Sequence, residues 1–435
     1  MKKVHFIGIG GIGISAIARF LNEKGHKISG SDIKESKITK ELENEGIEVI
    51  TPHSKEAIKD QDFVVYSAAI KDDNIELITA KERGIKCLSR KEALPYVLDD
   101  KKVFAVAGAH GKSTTTAMLA ALIEGSAIIG AISKQFGSNM RYETSQNVVF
   151  EADESDSSFL NSNPYLAIVT NAEPEHMEHY DYDLAKFHAA YRGFLERAKV
   201  RVINADDEFL ATLKIDAIRL NPSTDITDLS MVVRDYQPFT SFNLKNLGKF
   251  EVFGMGEHIA IDASLAILAA LDELPLKTIK QNLLNFQGIK KRFDILYASK
   301  NYVLIDDYAH HPTEIKATLN SVFEYAKLLG ITRVVAIFQP HRYTRLSANL
   351  KGFSECFKGV SELVIMPVYA AGESPVEIDM KENFKAYDPI FTDKISRVDE
   401  AIEFDDEFGV KHRLDDGIVI GFGAGDISVL LRGNK

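Results

Sequence analysis

The stretch Gly108-Ala109-His110-Gly111-Lys112-Ser113-Thr114 decides how this chain is read. The apolar Val103-Phe-Ala-Val-Ala107 before it has the length and make-up of a buried parallel strand, and 115–123 after it carries a helix pattern. Strand, glycine turn, Gly-Lys-Ser and helix make a phosphate cradle. Backbone N–H groups and the positive end of the helix dipole face the anion, the Lys112 ammonium reaches the outer phosphates, and the Ser113 hydroxyl suits Mg²⁺. Val106 stands where the longer G-x-x-x-x-G-K-S loop has its first glycine, so this is the shorter G-x-H-G-K-S form. A purely structural turn accounts for the glycines but gives the Lys-Ser pair nothing to do. The motif predicts ATP binding by Gly108, Ala109, His110, Gly111, Lys112, Ser113 and Thr114.

Outward from the loop, strand and helix patterns alternate. Residues 1–98 hold Val4-His-Phe-Ile-Gly8, a helix pattern over 14–24, Lys27-Ile-Ser-Gly30 and Asp62-Phe-Val-Val-Tyr-Ser67. Repeated β-α-β order predicts a parallel sheet with right-handed crossovers. Residues 99–288 open with the phosphate loop and continue through Val148-Val-Phe150, Leu166-Ala-Ile-Val-Thr170 and Val200-Arg-Val-Ile203. A more β-like section follows, with Met231-Val-Val233 and Lys249-Phe-Glu-Val-Phe253, and a helix pattern over 261–271 closes the domain. Residues 289–435 carry Tyr302-Val-Leu-Ile305, Arg333-Val-Val-Ala-Ile-Phe338, Glu362-Leu-Val-Ile-Met366 and Gly417-Ile-Val-Ile-Gly421, each followed by a polar or glycine-containing loop. The expected class is α/β in three domains: a Rossmann-like N-terminal domain (1–98), a central P-loop ATPase α/β domain (99–288) and a C-terminal Rossmann-like α/β domain (289–435).

The chain has 435 residues and a net charge of -11, which argues against a nucleic-acid or membrane-surface binder. An acidic protein that binds phosphates must place its positive charge locally, in loops and helix termini. Cys87 and Cys356 are the only cysteines, too few for a disulfide framework or a cysteine zinc site. The opening Met1-Lys-Lys superficially resembles a signal peptide, but His5, the clustered glycines and Arg19 interrupt the apolar run. No apolar stretch is long enough to span a bilayer. The expectation is a soluble cytoplasmic protein without membrane insertion.

Other motifs sit where such sheets collect ligands, past the strand C-termini. Gly8, Gly10, Gly11 and Gly13 form a dinucleotide-type turn, and Asp32 ends the next strand, where a carboxylate can take ribose hydroxyls. NAD is the natural reading of that turn. A nucleotide-sugar diphosphate fits it equally, and is preferred because the chain already has a separate ATP loop. Glu151-Ala-Asp-Glu-Ser-Asp156 follows a strand downstream of the phosphate loop. It reads as a divalent-cation site or as a solvated acidic turn, its placement favouring the cation. Thr170-Asn171-Ala-Glu173-Pro-Glu175-His176 follows the next strand, with His176 either a ligand or structural. Asp306-Asp307-Tyr308-Ala309-His310-His311-Pro312 reads as a substrate-contacting loop, with metal binding the alternative. Arg342 and Arg345 in Gln339-Pro-His341-Arg342-Tyr-Thr-Arg345 can fork onto a carboxylate or phosphate. Gly421-Phe-Gly-Ala-Gly425-Asp426 is a last glycine turn.

Together these segments resemble the Mur ligase family over essentially the whole chain. The glycine loops are weak evidence singly, whereas Asp306-to-Glu314 and Gln339-to-Arg345 are specific, and the second points to the alanine-adding branch. The resemblance implies an amino-terminal domain holding the UDP moiety through Gly8, Gly10, Gly11, Gly13, Asp32 and Ser67, a central ATPase and a mobile carboxy-terminal domain. It implies ATP and Mg²⁺ as cofactors, UDP-N-acetylmuramate and L-alanine as small-molecule substrates, and a monomer or weak homodimer. The implied reaction phosphorylates the lactoyl carboxylate and lets the alanine amine displace phosphate from the resulting acyl phosphate. Lys112 would bind the β- and γ-phosphates, Arg292 would join the ATP site, and Ser113, Glu151 and His176 would hold metal. His310, Arg342 and Arg345 would face the muramoyl carboxylate and alanine. Three departures from the family pattern stand out. G-x-H-N-x-x-N becomes Gly256-Glu-His258-Ile259-Ala-Ile-Asp262, a double arginine becomes Lys290-Lys291-Arg292, and Ser-Ser-Ala-Ile becomes Ser67-Ala-Ala-Ile70. An NAD-dependent oxidoreductase and a nucleotide-sugar-binding regulator without catalysis are the competing classes.

Overall fold

The structure is a computed structural model that describes residues 1–155 and 157–433; Asp156, last of the acidic run, lies outside the described residues. The chain forms two compact units. The first comprises Met1–Asp228, Phe242–Val252 and His258–Ile289, and the second Leu229–Ser241, Phe253–Glu257 and Lys290–Lys435.

In the first unit, β1 (Lys3–Ile7), β2 (Lys27–Ser31), β3 (Glu48–Ile50), β4 (Phe63–Tyr66) and β5 (Lys86–Ser89) make a parallel sheet of order β3-β2-β1-β4-β5. Both faces are covered, so β1 reads as an almost unbroken buried run. Chain order reverses beside β1, and the crevice at its C-terminal end receives the glycine turn. Helix Lys37–Asn44 stands next to that turn: Thr39 Cγ2 lies 3.2 Å from where a Cβ on Gly10 would be. A reciprocal capping box starts this helix. Ser36 Oγ accepts from Thr39 N–H at 3.2 Å and Thr39 Oγ1 accepts from Ser36 N–H at 2.8 Å. Ser36→Ala should therefore cost about 1 kcal/mol, read as a lowered thermal midpoint with the first unit's ligand affinity nearly unchanged.

A second sheet follows in the same unit. It comprises β6 (Lys102–Ala107), β7 (Ser126–Ile128), β8 (Met140–Arg141), β9 (Asn147–Glu151), β10 (Leu166–Val169), β11 (Val200–Asn204) and β12 (Ile218–Leu220), in the order β12-β11-β10-β6-β9-β7-β8. Only the edge strand β8 runs antiparallel. Because β6 lies between β9 and β10, the phosphate loop, the acidic run and the Thr170–His176 segment leave the sheet side by side. One apolar core runs through both sheets' helices, from Val4 to Leu213. A buried polar tie fixes them further. Arg19 pairs with Glu45 at 2.7 Å and donates to Asn139 Oδ1 at 2.6 Å, while Asn139 Nδ2 donates to Ile12 O at 2.6 Å. A three-stranded sheet, β13 (Ile226–Arg234), β14 (Gln237–Leu244) and β15 (Lys249–Phe253), completes the β-like section.

The second unit is built on β16 (Asp294–Ala298), β17 (Tyr302–Asp307), β18 (Val334–Phe338), β19 (Glu362–Ile365) and β20 (Ile390–Phe391). After the small antiparallel sheet β21 (Ser396–Val398), β22 (Ala401–Asp405) and β23 (Lys411–Leu414) comes β24 (Gly417–Phe422). The main sheet has the order β16-β17-β24-β18-β19-β20, parallel except at β16. Neighbouring β17, β24 and β18 end in the Asp306, Gly423 and Gln339 loops, so three motifs distant in sequence share one sheet edge. Asp306 belongs to the scaffold: it accepts from Arg432 at 2.7 Å and Ser428 at 2.6 Å, anchoring helix Ile427–Arg432. Among the described residues no helix is long and apolar enough to cross a membrane, and both cysteines are free thiols.

Candidate active site

In the first unit the phosphate loop is shaped by two glycines in the left-handed half of φ space. Gly108 has φ +140°, and a Cβ there would stand 2.0 Å from Thr170 Oγ1. Gly111, at φ +80°, closes against Asp262, whose Oδ1 would be 2.5 Å from a Cβ. Thr170 and Asn171, at the end of β10, grip the His110 peptide. Asn171 Oδ1 accepts from its N–H at 3.0 Å, and Thr170 Oγ1 donates to its carbonyl at 2.5 Å. Helix Lys112–Leu122 then begins with Gly111 as its N-cap and no side-chain cap, which leaves first-turn N–H groups directed at an incoming anion. Ala109 and Thr114 lie in this loop and first turn. His110 Nε2 is 3.4 Å from both Glu173 and Glu175.

Lys112 and Ser113 turn toward different carboxylates of the acidic run. Ser113 Oγ donates to Glu151 Oε1 at 2.9 Å, and Gly130 N–H donates to Glu151 Oε2 at 2.7 Å. Burial pushes the Glu151 carboxyl above the ordinary range, opposed chiefly by the Lys112 charge. A hydroxyl and a buried carboxylate meeting at the mouth of a phosphate cradle are hard oxygen donors that fit Mg²⁺. Lys112 Nζ donates to Glu154 Oε1 at 2.9 Å, to Ala109 O at 3.0 Å and to Gly108 O. Glu154, one residue type among four carboxylates in six positions, was not separable from Glu151 by spacing.

His176 is not gathered with them. It is exposed, at φ +52°, with Nδ1 3.7 Å from Glu178. No hydrogen bond or ion pair among the described residues joins it to Ser113 or Glu151. Among the described residues no three His, Cys, Asp or Glu side chains converge as metal ligands.

The Gly8–Gly13 turn borders the same region, where Gly13 lines a cavity with Lys112 and Glu151. Gly8, at φ +79°, lies against Ser67, whose Cβ would be 3.1 Å from an added Cβ. Asp32 Oδ2 accepts from Gly10 N–H at 2.7 Å and Oδ1 from Ile33 N–H at 2.8 Å, so the carboxylate fixes the turn. Helix Ile12–Glu23 starts at Gly11, again without a side-chain cap. Arg90 was missed by sequence reading. It opens the helix after β5, one residue past Ser89, the N-cap of a Ser89–Glu92 capping box, a basic residue at a strand's C-terminal edge. Its Nη1 would be 2.8 Å from a Cβ on Gly13, and its Nη2 donates to Asp153 at 2.8 Å and to Ser158 at 3.1 Å. Burial alone would raise Asp153, but Arg90 and the Ser155 hydrogen bonds outweigh it and hold the carboxyl at about 2. Gly13, Arg90, Lys112, Glu151 and Asp153 line one cavity of about 160 Å³ with an apolar floor that includes Ile17 and Phe150.

In the second unit the loops after β17 and β18 carry a row of rings and cations. Asp307 is spent on the backbone, accepting from Phe293 N–H at 2.7 Å and Ala309 N–H at 2.9 Å. Burial raises it to about 6 against the pull of Arg292. Arg292, exposed, stacks 5.4 Å over the Tyr308 ring. Tyr308 meets His310 edge-on at 5.0 Å, and His341 stacks on Tyr369 at 5.7 Å. His310 is lowered by burial against the opposing Glu314. His341 falls to about 4 through burial and then the Arg345 charge. His341 is therefore neutral near pH 7, and its Nδ1 accepts from Arg345 Nη1 at 2.9 Å, which aims the guanidinium. Arg342 is exposed and held at φ +67°, a conformation that costs on the order of 1–3 kcal/mol for a non-glycine residue. Its N–H donates to Tyr369 O at 2.9 Å.

Residues 3–102, 106–270 and 291–419 match the models for the Mur ligase family catalytic domain, the Mur ligase middle domain and the Mur ligase glutamate ligase domain, respectively. The chain is 83% identical over 433 residues to a UDP-N-acetylmuramate–L-alanine ligase of Campylobacter curvus, covering 100% of both chains. It is 54% identical to a UDP-N-acetylmuramate–L-alanine ligase of Helicobacter pylori, over 99% of this chain and 96% of that one. The crystal structure of a UDP-N-acetylmuramate–alanine ligase from Thermotoga maritima superposes with a TM-score of 0.83 at 27% identity, covering 99% of this chain and 98% of that one. A murein peptide ligase from Psychrobacter arcticus shares the fold, at TM-score 0.64 and 21% identity, over 100% of this chain and 99% of that one.

Proposed function

The chain belongs to the Mur ligase family, and from that membership we propose that it joins L-alanine to the lactoyl carboxylate of UDP-N-acetylmuramate, consuming ATP through an acyl phosphate, in peptidoglycan precursor synthesis. The full-length relatives that carry this name support the substrate pair. The observation that carries the chemistry is the cavity in which the sugar-side turn, Lys112 and Glu151 face one another.

Three anionic groups must be gathered, so the protein's work is positioning and charge neutralisation. The amides of the Gly8–Gly13 turn and the start of helix Ile12–Glu23 take the diphosphate. The Gly108–Thr114 loop takes the triphosphate, and Lys112 neutralises its outer oxygens. Ser113 and Glu151 would hold a magnesium ion, which when bound neutralises the β- and γ-phosphate oxygens. The lactoyl carboxylate attacks the γ-phosphorus in line, ADP departs, and the alanine amine then displaces phosphate from the acyl carbon. We assign Arg342 and Arg345 to carboxylates, neutral His310 to the neighbourhood of the amine and Arg292 to the nucleotide. His176 is kept as a metal-binding candidate only in a conformation that brings it to Ser113 and Glu151. The division at 98 and 288 assigns UDP-sugar, ATP and amino-acid functions to successive segments. We further propose a cytoplasmic enzyme, monomeric or weakly dimeric.

Phosphate release from ATP and Mg²⁺ should require both UDP-N-acetylmuramate and L-alanine. If glycine, serine or a tripeptide serves far better, the substrate assignment falls and the reaction class stands. NADH fluorescence enhancement without ATP-dependent ligation would instead favour an oxidoreductase.

A further inference from the structure

Three donors are available on a lysine ammonium, and in this structure Lys112 has committed all three: to Gly108 O, Ala109 O and Glu154 Oε1. Nothing is left for a phosphate until one is surrendered. The carbonyls belong to the cradle itself, whereas Glu154 is an anion competing with the nucleotide for the same cation. Glu154 cannot follow the ammonium or retreat into water. Its side chain is 2% exposed, and its Oε2 is buried with no hydrogen-bond partner among the described residues. Its backbone carbonyl is tied as well, accepting from Tyr180 Oη at 2.6 Å and from Ser157 N–H at 3.0 Å.

We propose that Glu154 is a positioning residue that holds Lys112 folded into the empty loop, yields it to the triphosphate, and takes up a proton from solvent in the exchange. The proposal rests on the ligase reading above and adds to it a step that the acidic run alone does not show. A carboxylate left buried beside a triphosphate, without its cation, is far more costly as an anion than as a neutral acid. Its surroundings sharpen that cost. Lys112 faces it from the start of helix Lys112–Leu122, Asp153 precedes it in the loop after β9, Tyr180 approaches from the turn Met177–Tyr180, and Tyr191 from helix Leu184–Arg197. The Tyr191 hydroxyl is likewise buried and without a partner. Its ionisation is pushed up first by burial and then by the Glu154 charge, with Tyr180, Glu175 and Asp207 adding to it. In the free protein, burial outweighs Lys112 and keeps the Glu154 carboxyl at about 7. It is thus charged at pH 8 and largely neutral already at pH 6.

Calorimetric titration of the full-length protein with a non-hydrolysable ATP analogue and Mg²⁺, in buffers of different ionisation enthalpy, reads the proton directly. Uptake should approach one proton per nucleotide at pH 8 and fall toward none at pH 6. Wild-type affinity should weaken about tenfold per pH unit above 7. Glu154→Gln should bind without uptake and about tenfold more tightly than wild type at pH 8, whereas Glu154→Asp should restore uptake. Binding by wild type without uptake at pH 8 overturns the inference alone, whatever the variants do. Uptake undiminished in Glu154→Gln also overturns it. Failure of wild type to bind the analogue at all would overturn the ligase reading as well.

Discussion

Lys112→Met is expected to reduce phosphate release at least about 10³-fold while leaving UDP-N-acetylmuramate affinity within about twofold. Loss of a single preorganised donor to a developing charge typically costs 10²–10³ in turnover. Here the donor is also the only cation hydrogen-bonded inside the loop among the described residues. The Gly8–Gly13 turn is held by Asp32, and no hydrogen bond among the described residues joins it to Lys112, so the two effects separate. The change has a second consequence. Removing one partner of a buried ion pair strands the other, here Glu154, which takes a proton to stay buried, at about 1.4 kcal/mol one pH unit above where it titrates. Lys112→Met should therefore melt early at pH 8 and recover toward wild type at pH 6, where the carboxyl is neutral. Adding Glu154→Gln should restore stability at pH 8 but not turnover. Steady-state phosphate release, sugar-nucleotide titration and thermal melts at the two pH values check the three statements. Turnover above a tenth of wild type would remove Lys112 from the mechanism.

What the sequence disclosed follows from how local each signal is. Buried parallel strands announce themselves because both faces are apolar, and Leu166-Ala-Ile-Val or Val334-Val-Ala-Ile-Phe needs no partner to be recognised. The phosphate loop is legible for the same reason, since turn, lysine, hydroxyl and helix are contiguous. Helix Lys112–Leu122 starts three residues before its apolar pattern, because its first turn, Lys-Ser-Thr, is polar. The small sheet β21–β23 was invisible: its strands are short, half-exposed and rich in charge, and their pairing is a tertiary fact. Polar roles divide along the same line. Asp306 and Asp307 read as one acidic pair, yet Asp306 anchors the last helix and Asp307 caps a neighbouring loop. Which of two adjacent carboxylates meets the solvent, a lysine or an arginine depends on strand order. That is why Glu151, Asp153 and Glu154 acquire three different partners, Ser113, Arg90 and Lys112, within four residues.

Gly108→Ala is the backbone counterpart of the lysine experiment and should be nearly as severe. The added methyl would lie 2.0 Å from Thr170 Oγ1 and 3.0–3.1 Å from the Asn171 backbone, at a φ of +140° that an L side chain rarely adopts. Strain of this kind costs about 1–3 kcal/mol before the steric overlap is counted. Thr170 and Asn171 are also the residues that hold the His110 peptide. The loop must therefore either abandon its shape or break that grip, and the nucleotide analogue should bind at least about 100-fold more weakly, a loss of about 2.7 kcal/mol. A double change, Gly108→Ala with Thr170→Ala, removes the closest overlap but neither the Asn171 backbone nor the φ requirement, so it should rescue little. Gly111→Ala should be milder. Its overlap is with a side-chain carboxylate, Asp262 Oδ1 at 2.5 Å, and with no backbone atom, and its φ of +80° is less extreme. The ranking of the three variants in one analogue titration is the discriminating measurement. Wild-type affinity in Gly108→Ala would show that the cradle does not form around this glycine.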